Sequence, residues 1–271
     1  MEINPNPDPK PTLKRVLLVG INYTSARNKQ NVLYGCVNDV RNVEERLRKT
    51  NPGAEYRVLH DEGGTWPSRA NIMAAMRWLV SGLVSGDSVY YHYSGHGVLS
   101  VDRSGDEVSG LDSCICPLAT TGAIEYITDD ELRKNVVDAV PAGCTLTAVF
   151  DCCHSGTCLD LRYGMKSTET ATVLTENRKY AQTKGQVFFL SGCMDTQTSA
   201  DTVNAMGAPT GALTNAVLAV IDESAKINRF LGNVRKWLRT NGYDQVPQLS
   251  CGRSMSVDAP FMGRAGSLRA A

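Results

Sequence analysis

Ser88–Gly97 (SVYYHYSGHG) and Cys144–Gly156 (CTLTAVFDCCHSG) decide the fold. Each opens with a short run of apolar, β-branched and aromatic residues, then stops at small residues that permit a sharp exit turn. Such runs suit strands covered on both faces, as in parallel sheets. Arg15–Asn22 (RVLLVGIN), Tyr56–Leu59 and Gln186–Ser191 (QVFFLS) repeat the theme, and a last short strand is expected around Gln245–Ser250. Helices are expected over Asn38–Thr50, Ser68–Val84 with Ser68 as N-cap, Thr128–Val140, Leu213–Ser224 and Asn228–Arg239. This alternation predicts an α/β protein: a mostly parallel central sheet with helices on both faces. Sheets of that kind carry their working residues at the carboxyl ends of the strands, where both opening motifs lie.

The chain has 271 residues, and its 28 basic and 28 acidic side chains cancel. Charge therefore gives no reason to expect nucleic acid or an anionic membrane as a partner. No run of about 18 apolar residues is present, so no membrane-spanning helix is expected. Met1–Pro11 lacks the apolar core of a secretory signal, which makes a reducing, cytoplasmic location the expectation. Nine scattered cysteines fit thiols better than a disulfide framework. Residues 1–12, rich in Pro and Asn, are expected as a flexible arm, 13–251 as one folded domain and 252–271 as a loose tail. The polar stretch Thr157–Gly185, with Lys166, Arg178, Lys179 and Lys184, is the longest candidate for a mobile loop.

His96 sits between two glycines, and Cys153 follows an apolar strand. A single cysteine in such a place is usually a small buried hydrophobe. The pairing of the two motifs, 153 − 96 = 57 residues apart on strands that can be sheet neighbours, points to chemistry instead. A free thiol is mostly protonated at neutral pH, and a nearby imidazole can take its proton and later return one to a leaving amine. The backbone N–H groups of Gly97 and Cys153 are candidates for an oxyanion hole. Cys and His alone would also serve an acyl transferase. Zinc at Cys114, Cys116, Cys152, Cys153 and His154 is disfavoured, because no spacing there is CxxC and no second pair follows.

YHYSGHG, DCCHSG and the later SGCMDTQTSAD and GALT closely resemble the metacaspases, over roughly Lys14 to Ser250. The resemblance implies a caspase-like three-layer sandwich and a cysteine endopeptidase with a His96–Cys153 dyad. It selects Cys153, directly before His-Ser-Gly, over Cys152, and leaves Cys152 and His154 to local packing. It implies cleavage after Arg or Lys, with Asp39, Ser94 and Asp151 forming the S1 pocket, where a carboxylate pair favours a cation. Cys36 matches a family cysteine near that pocket. Calcium activation is also implied, through Asp112, Asp129, Asp130 and Asp160, although Thr128-Asp129-Asp130-Glu131 reads equally well as a helix capping box. The resemblance further implies protein or peptide substrates and a monomer. The basic residues of Thr157–Gly185 suggest self-processing. A catalytically silent scaffold is the alternative, and the presence of both dyad residues speaks against it.

Overall fold

The structure, a computed structural model, describes residues 13–101, 111–153, 158–167, 172–192, 201–203, 207–221 and 226–258. In chain order the elements are β1 (Leu13–Gly20), α1 (Cys36–Thr50), β2 (Glu55–His60), α2 (Arg69–Val80), β3 (Ser88–Ser94), β4 (Gly97–Val101), β5 (Leu111–Ile115), β6 (Ile127–Thr128) and α3 (Asp129–Leu132). They continue with β7 (Thr145–Asp151), β8 (Tyr163–Ser167), β9 (Thr172–Glu176), β10 (Gln186–Ser191), β11 (Asp201–Val203), β12 (Pro209–Gly211), α4 (Ala212–Val220), α5 (Ile227–Thr240) and β13 (Gln248–Cys251).

Eight strands form the central sheet in the order β2-β1-β3-β7-β10-β13-β8-β9. The pairings from β2 through β10 are parallel; β13, β8 and β9 each join antiparallel. One core layer lies between the sheet and α2 with the turn after α3, and includes Leu17, Ile72, Leu79, Tyr91, Val136 and Phe150. The other lies under α1, α4 and α5, and includes Leu18, Val43, Tyr90, Val217, Phe230 and Leu238. Odd and even positions of β1 and β3 feed different layers, which is why their sequences are apolar throughout. The three-layer α/β sandwich expected from the alternation is what the chain forms.

β3 and β7 are direct parallel neighbours, paired from Ser88↔Thr145 to Ser94↔Asp151. Both motif strands therefore end at the same height. Phe150 locks this end. Its ring meets Tyr91 at 5.0 Å, Tyr93 at 5.6 Å and Phe189 at 5.1 Å, in edge-on or tilted arrangements that suit aromatic quadrupoles.

Several expectations need correction. The helix capped by Ser68 stops at Val80, not Val84, because Gly82 turns the chain with φ +60°. The helix expected over Thr128–Val140 is one turn, Asp129–Leu132, followed by a wider π-type turn at Arg133–Val137. The wider winding lets the consecutive residues Val136 and Val137 both bury. The α4 helix begins one residue earlier than expected and runs Ala212–Val220; residues 222–224 of its expected span lie outside the described residues. Thr157–Gly185 is not one long loop: it holds the hairpin β8–β9, whose Tyr163 and Met165 are buried at alternate positions. Sequence reading also missed the β4–β5–β6 sheet. The start of the expected loose tail is tied down, since Gly252 N–H donates to Val187 and its carbonyl accepts from Thr183. The arm 1–12 and residues 259–271 lie outside the described residues.

Candidate active site

The two strand-end turns meet. Gly95 N–H reaches the Asp151 carbonyl at 3.4 Å. A Cβ on Gly97 would stand 2.0 Å from the Cys153 carbonyl oxygen and 3.2 Å from Cys152 Sγ. Glycine is therefore required at 97 by close approach, and the backbone beside the thiol is set by it. Gly97→Ala is expected to push Cys153 out of place and cut peptidase turnover at least tenfold, measured by initial rates on a peptide substrate. An unchanged rate would show that the contact does not set the nucleophile.

Cys152 is fully buried in the core on the Tyr91 side of the sheet, whereas Cys153 is half-buried. The thiol a substrate can reach is Cys153. His154 and the Cys193–Ala200 part of the later motif lie outside the described residues.

His96 is held by its ring and by its backbone. Its Nε2 lies 2.7 Å from the carbonyl oxygen of Asn31, at the end of the short 3-10 turn Lys29–Asn31. A carbonyl only accepts, so Nε2 carries the proton, and in the neutral ring Nδ1 is the nitrogen able to take one. The Tyr23 ring packs against the imidazole with centroids 4.6 Å apart. The motif's other histidine, His92, is fully buried, and among the described residues its ring nitrogens have no hydrogen-bond partner. Burial pushes it down to about 3, so it stays neutral and sealed from substrate.

Asp39, Ser94 and Asp151 converge. Ser94 Oγ donates to Asp39 Oδ2 at 2.6 Å, and Ser94 pairs with Asp151 across the sheet. Thr210 Oγ1 and Gly211 N–H, the latter at 2.8 Å, donate to Asp39 Oδ1. Thr214 donates twice to Asp151 Oδ2, from its N–H at 2.8 Å and its hydroxyl at 2.9 Å. Gly211 lies against both carboxylates: a Cβ there would come within 2.2 Å of Asp151 Oδ2 and 2.8 Å of Asp39 Oδ2. Burial first, and the neighbouring Asp151 charge second, raise Asp39 to about 7, against the pull of its hydrogen bonds. Cys36 is buried at the start of the same helix, one turn from Asp39.

Asp112, Asp129 and Asp160 are buried, and Asp130 is half-buried beside them. Asp129 Oδ2 accepts from Ser113 N–H at 2.7 Å and Oδ1 from Asp130 N–H at 2.9 Å. Burial raises Asp129 to about 7, with smaller upward pushes from Asp112 and Asp130. Arg133, just after α3, donates to the Asp160 carbonyl, which brings the fourth carboxylate's segment alongside. Thr128 and Glu131 do form the reciprocal capping box. Among the described residues no three His, Cys, Asp or Glu side chains converge on one metal position.

Sequence reading missed Asn31, Tyr23, Thr210 and any role for Tyr93 or Thr214. Asn31 contributes a main-chain carbonyl, which leaves no trace in residue identity. Thr214 belongs to GALT, a motif visible in the sequence but silent about which carboxylate it would meet.

Fold and site together describe a hydrolase of the caspase-like α/β class, with an accessible thiol and a histidine at adjoining strand ends. The "Metacaspase, peptidase C14 domain" family matches residues 14–162. Metacaspase-1 of Mycosarcoma maydis is 36% identical, over 92% of this chain and 73% of that protein. Metacaspase-1 of Schizosaccharomyces pombe is 35% identical over 90% and 68%, and Metacaspase-2 of Trypanosoma brucei brucei 36% identical over 91% and 75%. A solved Geobacter sulfurreducens protein shares the fold, with a TM-score of 0.65 at 22% identity over 93% of this chain and 98% of that one. The chain belongs to the metacaspase family and is a cysteine peptidase. Among the described residues no helix is long and apolar enough to cross a membrane.

Proposed function

We propose that this peptidase cleaves protein substrates after Arg or Lys, with Cys153 as nucleophile and His96 as base, and that calcium activates it. The observation that carries this reading is the Asp39–Ser94–Asp151 cluster, in which Asp151 is the last residue of β7, two positions before the thiol. Two carboxylates in a desolvated pocket select a guanidinium or ammonium and reject an acidic side chain. Asp151, which keeps 4% exposure, faces the incoming cation, and the fully buried Asp39 backs it.

In the reaction, Nδ1 of His96 takes the Cys153 proton, and the thiolate attacks the scissile carbonyl carbon. The imidazolium then gives that proton to the leaving amine, and water attacks the thioester with the same histidine as base. Gly97 and Cys153 N–H are the groups assigned to the oxyanion. The Asn31 carbonyl keeps the ring in the tautomer this needs.

Asp112, Asp129, Asp130 and Asp160 offer the hard oxygen donors calcium prefers. The ion would favour the charged form of Asp129, which burial raises to about 7, and its binding would need the four carboxylates, which do not converge on one position here, to draw together. Self-processing fits the exposed turn after β9, where the Arg178 side chain is 83% exposed beside Lys179. We read the enzyme as a cytoplasmic monomer. All eight cysteines of the described residues are thiols, and the sheet is continued past β13 by its own hairpin.

The test is a set of fluorogenic peptides with Arg, Lys or Asp at P1, each with calcium and with chelator. Arg and Lys substrates are expected to be cut, at least tenfold faster with calcium, and Asp substrates not at all. Cleavage of the Asp substrate alone would overturn the specificity, equal rates in chelator the calcium reading, and silence on all three would favour a scaffold. On a gel of the same samples, self-processing appears as a fragment absent from Cys153→Ala.

A further inference from the structure

The β4–β5 ladder pairs Val98 with Cys114 and Gly97 with Ile115. By register the next rung sets His96 opposite Cys116. An ordinary hydrogen-bonded antiparallel pair would exchange two direct N–H···O=C bonds there. The chain does something else: it inserts two phenol hydroxyls. His96 N–H donates to Tyr23 Oη at 3.0 Å, and Tyr23 O–H donates to the Cys116 carbonyl at 2.7 Å. In the opposite direction, Cys116 N–H donates to Tyr93 Oη at 3.1 Å, and Tyr93 O–H donates to the His96 carbonyl at 2.8 Å.

The proton count closes. Each hydroxyl spends its one proton on a carbonyl and uses a lone pair for an amide, so the two oxygens meet at 3.2 Å and all four main-chain groups of the rung are satisfied. Both tyrosines are fully buried, and burial pushes their pKa values well above the ordinary 10, so neither hydroxyl ionises in use. Tyr23 holds φ +57°, a conformation costly for a non-glycine residue, which it keeps while reaching this rung. A Cβ at Gly95 would press on both hydroxyls, at 2.7 Å from Tyr93 Oη and 2.9 Å from Tyr23 Oη.

We propose that Tyr23 and Tyr93 are positioning residues for the catalytic base: their hydroxyls form a widened rung that fixes the His96 backbone at a set distance from β5. The inference rests on the reading of His96 as the base. The rung fixes the main chain from which the imidazole projects, the Tyr23 ring limits its tilt, and the Asn31 carbonyl fixes its flip. Three constraints then hold one side chain to the tolerance that proton transfer requires.

The test compares Tyr23→Phe, Tyr93→Phe, His96→Ala and Tyr91→Phe in the full chain. Tyr91 is the control: it lies on the same strand as Tyr93, equally buried, and among the described residues its hydroxyl has no hydrogen-bond partner. Each rung variant is expected to lower kcat about 10- to 100-fold with KM within twofold, and to slow iodoacetamide alkylation of Cys153 at pH 6.5. Tyr91→Phe should change none of these. Rung variants with full kcat but a lowered melting temperature would overturn the proposal and leave a purely structural hydrogen-bond pair. Full activity in His96→Ala would instead sink the assignment of the base. If neither rung variant folds, amide hydrogen exchange in the unmodified chain decides. His96 and Cys116 should be protected as strongly as Val98 and Cys114, and loop-like exchange at either would refute the rung.

Discussion

Cys153→Ala is expected to remove peptidase activity by about 10⁴-fold or more, and His96→Ala by about 10³-fold, with melting temperatures close to that of the parent chain. Neither change opens a buried cavity, because Cys153 and His96 are only half-buried at the mouths of two turns. The two should not add: once the base is gone the thiol has no partner to take its proton, so the double variant should resemble Cys153→Ala alone. Iodoacetamide separates the roles further. In His96→Ala, Cys153 should react at neutral pH as slowly as an ordinary free thiol. Cys152→Ala supplies the contrast. Its sulfur lies in the core, so the change should lower stability while Cys153 remains able to turn over substrate. If Cys152→Ala alone abolished turnover and Cys153→Ala did not, the nucleophile would have been misassigned.

The second large effect concerns the carboxylate pair. Asp151→Asn or Asp39→Asn is expected to cut kcat/KM for an Arg substrate about 10²- to 10³-fold, since removing one partner of a buried, hydrogen-bonded ion pair costs about 2–5 kcal/mol. Asparagine keeps the shape and still accepts from Gly211 N–H at position 39, so the loss reports charge, not collapse. Acidity should mimic the substitution. Asp39 is raised to about 7 in the free protein, so below that pH the pocket carries one charge fewer and Arg binding weakens. KM for the Arg substrate should therefore climb as pH falls from 8 to 6, and the climb should vanish in Asp39→Asn. Stability runs the other way. A carboxyl whose folded pKa lies above its unfolded value favours the folded state most at low pH, and that contribution is lost as pH rises from about 4 to about 7. The melting temperature of the substrate-free protein should fall across that window, by less in Asp39→Asn. A flat KM profile would mean that Asp39 keeps its charge throughout.

The sequence made the central sheet legible because its buried parallel strands are largely apolar runs, and β1, β3 and β10 meet a glycine at or just after their ends. β3, β7 and β10 fall within a residue of their expected limits for that reason. The hairpin β8–β9 was hidden because its strands, YGMKS and TVLTE, interleave polar residues with the buried Tyr163 and Met165 and leave Val173 exposed, so a half-exposed edge reads as polar loop. At the site, side-chain chemistry was legible and main-chain chemistry was not. His96 and Cys153 stand out by residue type at two strand-end turns, whereas Asp39, read alone, is an ordinary acidic residue in the first turn of a helix and enters the pocket only through the family resemblance. Asn31 works through a carbonyl, and Tyr23 through a hydroxyl that reaches the His96 amide across 73 positions of sequence. Only a fold can supply that distance.

The clasp on the two carboxylates has a consequence for how the protein is made. Asp39, Asp151 and Cys153 leave the ribosome well before Thr210, Gly211 and Thr214, the residues that hold the carboxylates in place. From 153 to 214 is 214 − 153 = 61 residues, about 3–12 s of translation at roughly 5–20 residues per second. During that interval the nascent chain owns a nucleophile without a finished pocket beside it. The carboxylate pair gains its full set of hydrogen bonds only when the segment around Thr214 docks.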